Sequence, residues 1–157
     1  MYIGMDCSIK DVALVSEYGH VLVSTHTSLT LNSSLQEVVN TGREIANATR
    51  SHLLSDYDCL VIDYSFLPMK ARRRQTALNT MLITAIVTHL NHPAFAIEPS
   101  TIRKWCGLKS RASKLDVWQA FGDAMLDGFR TEHEKDAYIL AQYGKDVGLI
   151  DGYSKLP

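Results

Sequence analysis

Hydrophobic residues in the first part of the chain fall in short runs that are separated by turn residues. Residues 2–8, 12–16 and 21–27 have the length and apolar character of β-strands, and the third run alternates apolar with polar positions. Residues 17–20 have the turn chemistry of a hairpin, and residues 8–11 leave room only for another tight turn. The first three strands are therefore predicted to form an antiparallel meander.

Two further strands are predicted in the middle of the chain, each preceded by a helix. Ser34 and Glu37 have the spacing of a capping box, and apolar residues at helical spacing follow them. Residues 59–63 form a nearly continuous apolar run, as expected for a strand buried on both faces. Helical spacing returns between about residues 72 and 90, and a short strand follows at 94–98. Because strand–helix–strand connections need right-handed parallel crossovers, these two strands are predicted to be parallel.

The last third of the chain has helical patterns only. A short helix is predicted at 100–105, a second runs from Ser113 through Met125, and a capping-box pattern at Thr131 starts the last helix. The complete order predicts an α/β fold with a mixed five-stranded sheet, three strands antiparallel and two parallel, flanked by helices.

Length and composition agree with this fold. The 157 residues, of which 46% are hydrophobic and 21% charged, predict one domain that spans residues 1–157. The sequence has neither a signal-peptide pattern nor an apolar run near the ~18 residues of a membrane span, so we expect a cytoplasmic, intracellular protein without a membrane partner. The three widely spaced cysteines favour free thiols over disulfides or a zinc site.

Charge is strongly segregated, although the net charge is only −1. Residues 70–114 contain nine basic residues and one acid, a net charge of +8, whereas the remainder has a net charge of −9. An ordinary solvated helix face would intersperse acids among the basic residues, so this segregation predicts a polyanion-binding face. The basic residues are Lys70, Arg72, Arg73, Arg74, Arg103, Lys104, Lys109, Arg111 and Lys114.

Acidic residues stand at the ends of two predicted strands and at the start of the last helix. Asp6 and Asp63 each follow an apolar strand, and open sheets place ligands at such carboxyl ends. Asp136 follows His133 by three residues, which puts both on one helical face. Clustered carboxylates repel one another unless a divalent cation is bound, and oxygen ligands favour Mg²⁺ or Mn²⁺. Two such ions about 4 Å apart can drive phosphodiester cleavage, so the pattern predicts a metal-dependent nuclease.

Each of these residues also has a structural interpretation. Asp6 could form a turn, Asp136 could complement the helix dipole, and a histidine at the position of His133 is usually exposed. Glu132 stands four residues before Asp136 and could replace His133 in the site. Glu98 ends the fifth strand and is a reserve candidate beside the site.

The order and spacing of these residues resemble the RuvC family of Holliday-junction resolvases, which belong to the ribonuclease-H-like superfamily. That family begins with a strand of the type I-G-I-D, has an acid at the end of the fourth strand with an aromatic three residues later, and carries an acid pair before an alanine on the last helix. The matching positions are Ile3-Gly4-Met5-Asp6, Asp63 with Phe66, and His133 with Asp136 and Ala137.

The chain departs from the family pattern at three positions. The usual D-P-G is Asp6-Cys7-Ser8, the usual glutamate is Asp63, and the first member of the final acid pair is His133. The first two departures keep an oxygen ligand. Histidine can still bind a divalent ion or move a proton, and it shifts metal preference towards Mn²⁺.

The resemblance implies a ribonuclease-H-like fold and a homodimer that makes paired cuts in a four-way DNA junction. It implies Mg²⁺ as cofactor, with Mn²⁺ as the alternative and two ions per site, and it places Lys114 near the scissile phosphate. The predicted catalytic residues are Asp6, Asp63, Lys114, His133 and Asp136, of which all but Lys114 are predicted metal ligands. Phe66 would wedge against bases, with plain core packing as its alternative role, while the basic residues of the 70–114 segment hold phosphates.

Other functions stay open on the sequence alone. A ribonuclease H that cuts RNA–DNA hybrids would use the same chemistry, and a junction-binding protein could have lost cleavage through His133. An actin-like ATPase shares the glycine and aspartate of the first strand, but the chain is too short for its two related domains.

Overall fold

The computed structural model of the protein describes residues 1–63 and 73–153, so the predicted DNA contacts Phe66, Lys70 and Arg72 lie outside the described residues. The strands are β1 Tyr2–Cys7, β2 Asp11–Ser16, β3 Val21–His26, β4 Cys59–Asp63 and β5 Ala94–Ile97. They form one sheet in the order β3-β2-β1-β4-β5. β1, β2 and β3 pair antiparallel, whereas β4 pairs parallel with β1 and β5 with β4. The predicted mixed sheet is therefore confirmed.

Helices pack on the faces of the sheet and lie beside the carboxyl ends of its parallel strands. They are α1 Leu35–Arg50, α2 Arg73–Leu90, α3 Pro99–Trp105, α4 Lys114–Phe121, α5 Asp123–Leu126, α6 Glu132–Val147 and α7 Leu149–Tyr153. The predicted capping box of α1 is present, because Ser34 and Glu37 each accept the backbone N–H of the other. None of the helices in the described ranges is long and apolar enough to cross a bilayer.

The single helix predicted from Ser113 through Met125 is wrong, because the chain forms two helices there. Gly122 has φ +122° and ends α4, since a right-handed helix cannot continue through that conformation. The break leaves Met125 56% exposed rather than in the core. At the start of α6, Thr131 accepts the N–H of Glu134, but Glu134 accepts the N–H of Arg130, so the predicted reciprocal box is shifted by one residue.

The two faces of the sheet carry different side chains, because successive residues of a strand point to opposite sides. On one face, Ile3 and Met5 of β1 and Ile62 of β4 pack in an apolar core with α1 and α2. On the other face, Ala13 and Val15 of β2 pack against α6.

α6 lies directly on the central strands. A Cβ at Gly4 would stand 1.6 Å from the carbonyl oxygen of Ala137, and one at Gly144 would stand 2.7 Å from Cγ2 of Val61. Only glycine allows so close an approach of helix and sheet. The first turns of α6 are thereby held above the ends of β1 and β4, where the two strand-end aspartates emerge.

Candidate active site

Asp6 and Asp63 lie side by side at the carboxyl ends of two adjacent parallel strands. The register of β1 and β4 pairs Met5 with Ile62, so the two aspartates follow at the next position of each strand. Both point to the face that α6 covers, since Met5 and Ile62 belong to the opposite core. The predicted meeting of these two carboxylates follows from the register alone.

All five residues that the sequence predicts to be catalytic line one cavity of about 330 Å³. It opens between the sheet edge, α3, α4 and the first turns of α6. The residues that meet in it are Asp6, Asp63, Lys114, His133 and Asp136. The alternatives Glu98 and Glu132 are exposed and do not line it, although Glu132 approaches Lys114 to 4.0 Å.

His133 lies between two carboxylates. Its Nδ1 is 2.7 Å from Oδ2 of Asp6, and its Nε2 is 3.5 Å from Oδ2 of Asp11. The hydrogen bond to Asp6 raises the pKa of His133 above its ordinary value, although partial burial opposes the shift. Metal ligation by His133 stays a prediction, because both ring nitrogens have carboxylate partners in this arrangement.

Asp136 is held by a lysine and a tryptophan from α4. Nζ of Lys114 lies 2.6 Å from Oδ2, and the indole Nε1 of Trp118 donates to Oδ1 at 2.9 Å. Burial raises the pKa of Asp136, whereas Lys114 and Trp118 act in the opposite direction. Desolvation lowers the pKa of Lys114, but the hydrogen bond to Asp136 and the charges of the nearby carboxylates together outweigh it and the net shift is upward. The two oxygens of Asp136 therefore both have donors.

The donor set fits a hard divalent cation, because three carboxylates line one small cavity. In the present arrangement Lys114 neutralises Asp136, and His133 lies against Asp6. Across residues 1–63 and 73–153, no group of three or more histidine, cysteine, aspartate or glutamate side chains is close enough to hold an ion. A cation at Asp136 would therefore have to displace the ammonium of Lys114 from Oδ2 of that residue.

Of the seven predicted basic DNA contacts that the structure describes, five lie around α3, α4 and the loop that joins them. Arg103 lines the cavity, and its guanidinium donates to the carbonyl oxygen of Ser110 at 3.0 Å. Lys109 and Arg111 line a shallow pocket of about 660 Å³ beside α4, and Lys104 is exposed on α3. The exposed Arg73 and Arg74 begin α2.

Within the described part of the chain, Trp118 and Asp11 make polar contacts with the cavity side chains that were not predicted from the sequence. Trp118 was assigned only to the apolar side of its helix, and its N–H bond to Asp136 depends on how α4 packs on α6. Asp11 had a detectable signal, since it lies two residues from Ala13, which pairs with Asp6 across β1 and β2. Strand alternation places all three on one face.

The sheet order, the helix across it and the acids at the strand ends define a ribonuclease-H-like fold, which confirms the predicted fold class. The structure is similar to RuvC from Thermus thermophilus, with TM-score 0.68 and 13% identity over 94% of this chain and 96% of that chain. T. thermophilus RuvC in complex with Holliday junction substrate gives TM-score 0.67 and 14% identity over 94% and 95%. The yeast mitochondrial Holliday junction resolvase Ydc2 gives TM-score 0.57 and 12% identity over 97% and 80%. No protein-family model and no curated protein matches the sequence.

Proposed function

We propose that this protein is a metal-dependent endonuclease that resolves four-way DNA junctions by paired cuts in a homodimer. The observation that carries the proposal is the convergence of three carboxylates with Lys114 and His133 in one cavity, at the carboxyl ends of parallel strands. Among the similar structures, T. thermophilus RuvC was solved with a Holliday junction substrate and Ydc2 is a Holliday junction resolvase. A homodimer fits the proposal because two symmetric strands must be cut.

The carboxylates of Asp6, Asp63 and Asp136 would hold the divalent ions, with His133 as the fourth ligand. Mg²⁺ or Mn²⁺, two per site, would supply activation of the attacking water and stabilisation of the departing oxygen. The protein contributes the placement: Asp6 and Asp63 are fixed by the strand register, and Asp136 by the first turns of α6. Side chains on strands and helices keep such a site more precise than loops do.

Lys114 would contact the substrate. Its side chain is 50% exposed, so the ammonium can reach either Asp136 or a phosphate group above the cavity. A cationic group beside the scissile phosphate stabilises the negative charge that develops during hydrolysis. Lys114 thus holds Asp136 in place until substrate and metal arrive, and then becomes available for the phosphate.

The basic residues would hold the DNA backbone on the same side of the molecule. Arg103 reaches the cavity itself, and Lys104, Lys109 and Arg111 continue from it along α3 and the following loop. Arg73 and Arg74 on α2 are proposed to contact a neighbouring arm. Lys70 and Arg72 as phosphate contacts, and Phe66 as a wedge between bases, belong to the proposal on sequence grounds.

The decisive experiment is cleavage of a labelled four-way junction, beside a linear duplex and an RNA–DNA hybrid, in Mg²⁺ or Mn²⁺. Wild type is compared with Asp63→Asn and with the matched control Asp56→Asn, an exposed acid outside the cavity. We expect paired cuts in the junction alone, lost in Asp63→Asn and unchanged in Asp56→Asn. Cutting of the hybrid alone would instead make the protein a ribonuclease H. Tight junction binding without cutting would make it a structural binder.

A further inference from the structure

Asp11 lies beside His133, at the ring nitrogen that does not face Asp6. Its Oδ2 lies 3.5 Å from Nε2 of His133, while Nδ1 of the same ring faces Asp6 at 2.7 Å. The three side chains are only 17–35% exposed. The imidazole is therefore enclosed by one carboxylate on each side, and a rotation of the ring would break both contacts.

The backbone holds Asp11 rigidly at the start of β2. The hydroxyl of Ser8 accepts the N–H of Asp11 at 3.1 Å, and the N–H of Ser8 donates to the carbonyl of Asp11 at 2.8 Å. Across the strands, Asp11 pairs with His26 of β3, and Nδ1 of His26 lies against Oδ1 of Asp11. Asp11 thus has two histidine neighbours, one on the exposed edge strand and one at the site.

Asp11 lies outside the cavity that contains the other carboxylates. It lines a separate cavity of about 860 Å³ on the β3 side, together with His26, Arg130 and His133. Within the described residues, His133 lines both cavities and Asp11 only this one. Asp11 therefore reaches the proposed site through its contact with the imidazole of His133.

We infer that Asp11 is the positioning residue of His133, and that His26 in turn holds Asp11. With its Oδ2 3.5 Å from Nε2, Asp11 directs Nδ1 towards Asp6 and the carboxylate cavity. Carboxylates that hold the second nitrogen of a metal-binding histidine raise metal affinity about 10- to 100-fold. The inference rests on the proposed function, because it names the residue that prepares His133 for a divalent ion.

Mn²⁺ affinity of the full chain, measured by electron paramagnetic resonance of the free ion, tests this role without DNA. Asp11→Ala is expected to bind Mn²⁺ about 10- to 100-fold more weakly. Asp11→Asn is expected to retain most of the affinity, because its amide oxygen can take the place of the carboxylate oxygen beside Nε2 while its NH₂ group faces His26. Asp56→Asn serves as the exposed control.

Junction cleavage supplies the second readout. Asp11→Ala is expected to lower kcat at least about 10-fold and to leave KM for the junction unchanged, since Asp11 acts through His133 and not on DNA. Equal losses in Asp11→Asn and Asp11→Ala would overturn positioning in favour of a pure charge effect. Wild-type Mn²⁺ affinity in Asp11→Ala would also overturn the inference. If wild type cuts no junction but its Mn²⁺ affinity depends on Asp11, the inference holds and the proposed function fails.

Discussion

Lys114 and Asp136 form an ion pair, Nζ to Oδ2 2.6 Å, on the wall of the cavity that contains the other candidate ligands. The pair joins the first residue of α4 to the second turn of α6. A protein cation thus occupies the carboxylate at which the proposed function places a divalent ion. Under the proposed function, the ammonium of Lys114 would therefore compete with a divalent ion for Asp136, and an ion bound there would free Lys114 for the substrate.

Replacement of Lys114 should therefore have opposite effects on ion binding and cleavage. In Lys114→Met we expect Mn²⁺ affinity to rise, measured by isothermal titration calorimetry, because the competing ammonium is gone. Single-turnover junction cleavage should fall about 100-fold or more, because a group that stabilises developing phosphate charge is lost. Lys145→Met is the matched control, since Lys145 pairs with Glu17 at 3.6 Å and does not line the cavity. Weaker Mn²⁺ binding by Lys114→Met would contradict the competition.

Trp118 should matter for cleavage through its indole N–H. Trp118→Phe keeps an aromatic ring but removes the donor to Oδ1 of Asp136, a bond to a charged group worth about 1.5–3 kcal/mol. Trp105→Phe is a close control, because Nε1 of Trp105 donates to Asp146 at 2.7 Å on another part of α6. Both variants should lower the unfolding free energy in urea, but only Trp118→Phe should also weaken Mn²⁺ binding. Equal Mn²⁺ affinities in the two variants would show that the indole of Trp118 serves packing alone.

Asp58 should make stability dependent on acid pH. Its buried carboxylate accepts the N–H groups of Leu54 and Ser55 and lies 3.1 Å from the amino group of Met1. Burial alone would raise the pKa of Asp58, but these contacts outweigh it and lower the pKa. Because the folded-state pKa lies below the unfolded one, the stabilisation is complete above the unfolded pKa and is lost as pH falls through the folded value.

Urea denaturation can measure this contribution. We expect Asp58→Asn to lower the unfolding free energy by about 3 kcal/mol at pH 7, because the Met1 amino group is left buried and unpaired. The difference from wild type should shrink as pH falls below the ordinary aspartate pKa of about 3.9. Asp56→Asn, two residues away and exposed, should leave the free energy of unfolding unchanged at both pH values. A constant difference between pH 7 and pH 3 would disprove the assignment.

Gly4→Ala should destabilise the fold strongly. The new Cβ would meet the backbone carbonyl of Ala137 at 1.6 Å, and backbone cannot rotate away as a side chain can. We expect a loss of about 3 kcal/mol or more in unfolding free energy, at the upper end of overpacking effects. Gly128→Ala is the control, because nothing lies within 4 Å of the position that its new methyl group would take. Differential scanning calorimetry of both variants measures the loss. A melting temperature for Gly4→Ala near that of wild type would be incompatible with this packing.

Arg111 should contribute to DNA affinity through phosphate contact rather than base recognition. Arg111→Gln is expected to weaken binding to junctions of different sequence equally, and to reduce the slope of log affinity against log salt by about 1. Arg43→Gln on α1 provides a control, because its guanidinium contacts His89 on the other side of the sheet. Fluorescence anisotropy at several salt concentrations measures the slope. An unchanged slope would remove Arg111 from the proposed DNA face.

The strand and helix order could be predicted because local periodicity determines it. Gly4 and Asp6 are an example, since strand alternation alone places them on one face, and the crossover rule brings Asp63 beside Asp6. The break at Gly122 was missed because a single glycine is compatible with a helix unless packing requires its positive φ. The contacts of Lys114 and Trp118 with Asp136 span 18 to 22 residues and depend on how two helices pack, which periodicity does not encode.

The seating of α6 on Gly4 also limits how the cavity can change shape. The same backbone contact that closes the core sets the height of His133 and Asp136 above the strand ends. A shift of α6 relative to the strand ends would require lifting the helix from the sheet, whereas side chains such as that of Lys114 can still rotate. Under the proposed function, a branched substrate would have to deform to reach His133 and Asp136, and sequences that bend or unpair easily at the crossover should be cut fastest.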